Sequence, residues 1–235
     1  MRILAIADEE SKALWDYYSP ERVEGVDLII ACGDLRAAYL EFLVTMTNRP
    51  LLYVRGNHDG AYQKNPPEGC ICIEDRVYDF QGLRILGLGG SQRYSDAPAD
   101  MYTEKEMSRR IRKAAPDILL RNGFDLLVTH APAAGYGDMD DLPHRGFACF
   151  NDLMDRYHPR YMLHGHVHQS YGASRFTRRI VHPSGTTIVN ACRHCFLDIA
   201  PEEYPQVGKT GSFLYDLVMT VKEGKKQNRQ KASRH

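Results

Sequence analysis

Leu51-Leu-Tyr-Val-Arg-Gly-Asn-His-Asp59 is the stretch on which the reading of this sequence turns. A short apolar run, the length of a buried strand, stops at Gly56, where the backbone is free to turn. An amide, an imidazole and a carboxylate then follow at Asn57, His58 and Asp59. Such side chains at the carboxyl end of a strand in an α/β sheet sit where ligands bind. Asn57 offers a neutral oxygen to a metal, and His58 exchanges a proton near neutral pH. Taken alone, the stretch is equally an ordinary polar turn, so its meaning depends on the rest of the chain.

The pattern recurs in both directions. Arg2–Ala7 reads as a buried strand ending at Asp8-Glu9-Glu10, and Asp27–Cys32 as a second ending at Gly33-Asp34. Ser11 has the chemistry of an N-cap for a short helix through Trp15 and Tyr18. Tyr39, Phe42, Leu43 and Met46 have helical spacing and stop before Pro50. This β-α-β-α-β rhythm implies a largely parallel sheet covered by helices. Farther on, Phe124–Val128 ends at Thr129-His-Ala-Pro132, and Arg160–Leu163 runs into His164-Gly-His-Val-His168.

Between these strands, Cys70–Glu74, Val77–Phe80 and Leu83–Leu88 read as short strands, and Gly87–Asp100 as a surface loop. Thr103-Glu-Lys-Glu106 is a capping-box pattern. It opens a basic helix whose Arg109, Arg110, Arg112 and Lys113 read as a solvated face. Phe147–Tyr157 has the pattern of an amphipathic helix. Gly172–Phe176, Ile180–His182, Thr186–Asn190 and Phe196–Ile199 suggest antiparallel strands completing a second sheet. Phe213–Val221 is a last element, so residues 1–221 are expected to form one domain. The polar, basic residues 222–235 are expected to be a disordered tail.

Bulk properties narrow the function. A chain of 235 residues is long enough for one large domain with a buried core. Lys+Arg and Asp+Glu both number 30, for a net charge of zero. That balance disfavours long nucleic acid and acidic membranes as partners. No apolar run approaches the roughly 20 residues needed to span a bilayer, and Met1 leads straight into a strand pattern without a signal-peptide profile. The six cysteines are then expected to be reduced and the setting cytoplasmic. Cys192-Arg-His-Cys195 fits a redox or zinc half-site, but it stands alone.

Strand ends therefore deliver Asp8, Glu10, Asp34, Asn57, His58, His130, His164, His166 and His168. Any one of these histidines is more often structural than a ligand; their joint placement is what informs. A mixed imidazole, carboxylate and amide set suits Mn²⁺, Fe²⁺ or Zn²⁺. A bridging carboxylate can hold two such ions about 3.5–4 Å apart, the arrangement used for displacement at phosphorus.

Asp8-x-Glu10, Gly33-Asp34, Gly56-Asn57-His58-Asp59, His130 and Gly165-His-Val-His168 together resemble the ordered motif set of the calcineurin-like metallophosphoesterases. Thr129–Pro132, His164–Gly172 and Thr186–Ala191 resemble more narrowly the metallophosphoesterase-domain-containing subgroup, related to class III cyclic-nucleotide phosphodiesterases.

The resemblance implies a four-layer α-β-β-α sandwich of two mixed sheets; the strand-helix rhythm alone gives only α/β. It also implies two divalent ions, Mn²⁺ or Fe²⁺ favoured, with Zn²⁺ or Mg²⁺ as alternatives. One would be held by Asp8, Glu10, Asp34 and His168, the other by Asp34, Asn57, His130 and His166. His58 would act at the leaving-group oxygen, oriented by Asp59, while a metal-bound hydroxide attacks phosphorus. His144 and Arg145, on the loop after His130, are candidates for binding the substrate phosphate, with a solvated loop as the alternative. His164 is either a group behind the ligands or a plain buried histidine.

Glutamate at position 10 departs from the family pattern, which has histidine there. Either Glu10 ligates the first ion, favouring Mn²⁺ or Mg²⁺, or it points away and leaves that site weak. The expected activity is hydrolysis of a phosphodiester or phosphomonoester of a small molecule or nucleotide, diesters slightly favoured. The rival expectation is a catalytically weak relative whose metal site has become a protein-binding surface; the sequence names no protein partner.

Overall fold

A computed structural model describes residues 1–96, 99–171 and 176–232. In chain order the elements are β1 (Arg2–Ala7), β2 (Leu28–Ala31), α1 (Ala37–Thr47), β3 (Leu51–Tyr53), β4 (Ile71–Cys72), β5 (Arg76–Phe80) and β6 (Leu83–Leu88). There follow β7 (Ser91–Gln92), β8 (Met101–Tyr102), α2 (Glu104–Leu120), β9 (Leu126–Thr129), α3 (Ala148–Tyr157) and β10 (Tyr161–His164). The last are β11 (Arg179–Val181), β12 (Thr187–Asn190), β13 (Arg193–Asp198) and α4 (Phe213–Ala232). Five strands form one sheet in the order β13-β1-β2-β3-β4, and six form a second in the order β11-β12-β10-β9-β6-β5. Both are mixed: an antiparallel β13 edges the first sheet, and antiparallel β11 and β5 edge the second.

Side chains of a strand alternate between faces, and the three cores follow that alternation. Ile3, Ala5 and Ala7 of β1 pack with Leu28, Ile30 and Leu52 against Ile85, Leu126, Val128, Leu163 and Val189 of the second sheet. The intervening Leu4, Ile6 and Ile29 face outward onto Tyr39, Leu40 and Leu43 of α1. On the other side Leu86, Leu127, Met162 and Ile188 meet Met107, Ala114 and Ile118 of α2 and Phe150, Leu153 and Met154 of α3. The result is the expected four layers, with the carboxyl ends of the central parallel strands at one rim.

Several local expectations change. Residues 12–17 form successive turns, with the Leu14 and Trp15 N–H groups donating to the Ser11 carbonyl, rather than a helix. Pro20 follows too soon for a helix to propagate. The capping box at Thr103 is present in full, but Arg110 behind it is not solvated. It is half-buried and paired with Glu74 and Asp75, over the Tyr102 ring. Thr187–Asn190 pairs in parallel with β10, and β13 crosses back to the first sheet. Only β11 supplies the expected antiparallel partner in the second sheet, and most of Gly172–Phe176 lies outside the described residues. Residues 222–232, expected to be disordered, continue the α4 helix. That helix is anchored by Tyr215, whose O–H donates to Asp79 of β5 at 2.8 Å.

Candidate metal centre

Three turns at the rim build the centre. Asp8 follows β1, Asp34 follows β2 and His166 follows β10, and all three adopt left-handed backbone, with φ of 65°, 56° and 70°. Non-glycine residues seldom take this conformation, and they persist in it where surrounding contacts impose it. The contacts are visible: the Asp8 N–H donates to the Gly33 carbonyl (3.1 Å), and the His166 N–H donates to Asp8 Oδ1 (2.8 Å). A Cβ at Gly56 would stand 2.0 Å from Asp34 Oδ1, and one at Gly33 2.7 Å from His130 Nδ1. Glycine at both positions is what lets the Asp34 and Asn57 turns close on the His130 ring.

Asp34, His130 and His166 present ligand atoms within 4.8 Å of one another. His130 Nε2 lies 3.3 Å from Asp34 Oδ2, 3.1 Å from Asn57 Oδ1 and 3.1 Å from His166 Nδ1. The other nitrogens of both rings face backbone carbonyls, His130 Nδ1 on Cys32 (2.8 Å) and His166 Nε2 on Pro143 (2.6 Å). A carbonyl only accepts, so these nitrogens carry the protons and Nδ1 of His166 presents its lone pair inward. Three acceptors thus converge on a single His130 Nε2 proton. A divalent cation among the four atoms would satisfy them all, so the donor set fits a metal ion.

Electrostatics fit the same reading. Burial pushes His130 down, but Asp34 and Asp8 more than reverse it, raising the imidazole from 6.5 to about 9. Burial likewise opposes ionisation of Asp34, and His130 and the His58 backbone N–H outweigh it, holding this carboxyl well below the usual range. For Asp8 burial outweighs the His130 charge and the His166 backbone N–H, and raises it to about 7. Its Oδ2 is buried with no hydrogen-bond partner among the described residues. An orphaned carboxylate oxygen beside a histidine pair is what a bound cation would relieve. Burial lowers His166 to about 3, keeping its nitrogen available as a ligand, and lowers His168 as well.

The remaining expected residues divide. His168 Nε2 stands 3.8 Å from Asp8 Oδ1, on the Asp8 side of the centre. Glu10 does not join them: its Oε1 accepts from Arg36 Nε at 2.7 Å. The neighbouring Glu9 approaches His168 Nδ1 at 3.7 Å while bound to Arg193 Nε at 2.7 Å. His58 is 73% exposed, with Nε2 4.0 Å from Asp34 Oδ2, so it lies at the open edge of the cluster. Asp59 is buried, and its Oδ2 accepts from the Asp34 and Gly56 N–H groups (2.7 and 2.8 Å), holding the turn beneath Asp34. The His144 ring lies 5.2 Å from the His166 ring, with Nδ1 2.6 Å from Asp141. Arg145 is drawn to the Asp140 carbonyl. His164 is buried beneath the rim, Nδ1 on the Gly165 carbonyl at 2.9 Å, and burial lowers it to about 4.

Four contributors are missing from the expected site. Tyr94 lies in the stretch expected to be a surface loop, yet its hydroxyl accepts from Asn57 Nδ2 (3.1 Å) and turns the amide oxygen toward His130. Gly87–Ser91 of that stretch is buried, because Gly89 lets it run against the Arg55 carbonyl, to which the Gly90 N–H donates. The Pro143 and Cys32 carbonyls fix the two imidazoles, and no side-chain pattern announces a carbonyl. Asn190, at the end of β12, donates to the Val167 carbonyl and accepts from the Cys192 N–H, both at 2.8 Å, bracing the His166–His168 turn. Its place at a strand end was the available signal. Cys192 and Cys195 are unpaired.

A family model described as calcineurin-like phosphoesterase matches residues 1–170. The 3',5'-cyclic adenosine monophosphate phosphodiesterase CpdA of Escherichia coli (strain K12) is 28% identical over 197 residues, 80% of this chain and 70% of that protein. Metallophosphoesterase domain-containing protein 1 of Homo sapiens is 25% identical over 141 residues, 59% of this chain and 39% of its own length. The match spans only 28% and 42% of the first two curated relatives. In fold, the TT1561 protein of Thermus thermophilus superposes with a TM-score of 0.56 at 16% identity, covering 81% of this chain and 88% of that one.

Proposed function

Because this chain belongs to the calcineurin-like phosphoesterase family, we propose that it hydrolyses a phosphate ester of a small molecule or nucleotide, diesters before monoesters. The observation that carries the reading is the convergence of Asp34 Oδ2, Asn57 Oδ1 and His166 Nδ1 on His130 Nε2. The preference for diesters is supported by the likeness to CpdA, a cyclic-nucleotide phosphodiesterase. A net charge of zero argues against long nucleic acid as substrate. No helix among the described residues is long and apolar enough to cross a membrane.

Asp34, Asn57, His130 and His166 would hold one divalent ion, and Asp8, His168 and the shared Asp34 a second. Mn²⁺ or Fe²⁺ suits this donor mixture, with Zn²⁺ or Mg²⁺ as alternatives; bound there, such ions supply Lewis-acid charge and acidify water. The protein's own contribution is placement. Asp59 fixes the Asp34 turn, Tyr94 fixes the Asn57 amide, and the Cys32 and Pro143 carbonyls fix which imidazole nitrogen faces inward. His58, exposed at the edge and outside the ligand set, would protonate the leaving-group oxygen or steady the charge growing on it. His144, held by Asp141, lies beside the His166 ring.

The test is reconstitution. The chain is stripped of metal, reloaded separately with Mn²⁺, Fe²⁺, Zn²⁺ or Mg²⁺, and assayed on bis-p-nitrophenyl phosphate beside p-nitrophenyl phosphate. We expect ion-dependent turnover, faster on the diester. His58→Ala should lower kcat about 10²-fold or more with metal content unchanged, the scale of a general acid. Full turnover in that variant removes His58 from the mechanism. No turnover with any ion or ester favours the protein-binding alternative.

A further inference from the structure

We propose that the two ion sites are unequal by construction: one is preorganised, while the other lacks a donor because Arg36 holds Glu10 away from it. The inference rests on the metallophosphoesterase reading and concerns how this chain loads its centre. At the first-formed site, Asp34, Asn57, His130 and His166 already converge, so an ion entering it displaces a proton and reorganises little. At the other, Asp8 is fully buried, its Oδ2 has no hydrogen-bond partner among the described residues, and His168 stands 3.8 Å from Oδ1. That side is built for a cation, and Glu10 is not part of it.

Arg36 is anchored from several directions. Its Nε donates to Glu10 Oε1 at 2.7 Å, and its backbone N–H points to the same oxygen at 3.4 Å. Its guanidinium lies 5.1 Å from the centre of the Trp15 ring, which is itself stacked on Tyr39 and Phe42. Glu9 is claimed in the same way by Arg193. To ligate the second ion, either carboxylate must leave an arginine, and that cost is subtracted from the ion's affinity. The Asp34 cluster is held by no arginine, and an ion entering it displaces only the His130 proton. Asp8 and His168 therefore hold the second ion with fewer protein donors or after breaking an ion pair, and in both cases more weakly than the first.

Mn²⁺ alone, titrated into the chelator-stripped full chain and followed by the electron paramagnetic resonance signal of free Mn²⁺, reads this without any substrate. We expect two steps, the second at least about tenfold weaker, the scale on which a lost supporting contact alters a metal site. Arg36→Ala should strengthen only the weak step, by about fivefold, the scale of a largely exposed ion pair. Glu10→His, which supplies a donor that Arg36 does not hold, should strengthen the weak step as well. Two equal steps in the parent chain overturn the proposal, as does a weak step unmoved by both substitutions. Failure to bind Mn²⁺ at all, or a tight step that survives Asp34→Asn, overturns the metallophosphoesterase reading itself.

Discussion

His130 links the chemistry of the centre to its stability. In the metal-free protein it holds a proton that the unfolded chain releases near pH 6.5, because Asp34 and Asp8 outweigh burial and raise it to about 9. A raised imidazole stabilises the fold fully below its unfolded value, and that stabilisation is lost as pH climbs through the folded one. Asp8 has the same sign from another cause. Burial raises its carboxyl from 3.8 to about 7, so ionising it across that range costs stability. Below pH 6.5 the lowered His164 and His166 oppose Asp8, so the chelator-treated protein should lose thermal stability chiefly from about pH 7 to pH 9. His130→Asn should flatten the upper part of the profile; a Tm independent of pH above 7 in the parent chain contradicts the assignment. A bound ion needs Asp8 ionised and the inward nitrogen of His130 unprotonated, so divalent affinity should rise over the same interval.

At the scale of elements, strand-to-turn junctions set the site. Gly56→Ala places a methyl 2.0 Å from Asp34 Oδ1 and 2.7 Å from its N–H, with no flexible neighbour to absorb it. We expect at least a tenfold loss of tight-site Mn²⁺ affinity with an unchanged circular dichroism spectrum. Unaltered affinity would show that the Asp34 turn is not held by this close approach. The junctions were also the most legible part of the chain. Asp8, Asp34, Asn57, His130, His166 and His168 stand out because apolar strands end at them. What the sequence left unread is of another kind. The Pro143 and Cys32 carbonyls have no identity in sequence, and Tyr94 was hidden in a glycine-rich stretch that reads as surface. The direction of the Glu10 carboxylate depended on Arg36, whose role a string of residues does not reveal. Strand partners were equally invisible: the sequence marks Phe196–Ile199 as a strand but does not say that it begins at Arg193 and pairs with Arg2–Ala7. Phe213–Val221 stood out only as an element of unspecified type, and the polar residues beyond it, which α4 continues through, carry no apolar stripe to signal their helix.

For the whole molecule, the centre is a clasp between sheets. Asp8, Asp34 and Asn57 leave the strands of the five-stranded sheet, whereas His130, His166 and His168 leave those of the six-stranded one. An ion bound by both groups ties the sheets together at the rim, adding to the apolar layer between them. Binding to the folded chain alone stabilises it by about 2.7 kcal/mol at a hundredfold excess over Kd. Thermal denaturation should consequently shift upward with the logarithm of free Mn²⁺ and return on chelation. A Tm indifferent to Mn²⁺ would mean that no ion bridges the sheets.

The most direct measurement is anomalous scattering at the manganese edge from crystals of the chain grown with Mn²⁺. The account predicts a peak enclosed by Asp34, Asn57, His130 and His166, and a weaker one beside Asp8 and His168. An empty map at the first position, with those four side chains ordered, would contradict it.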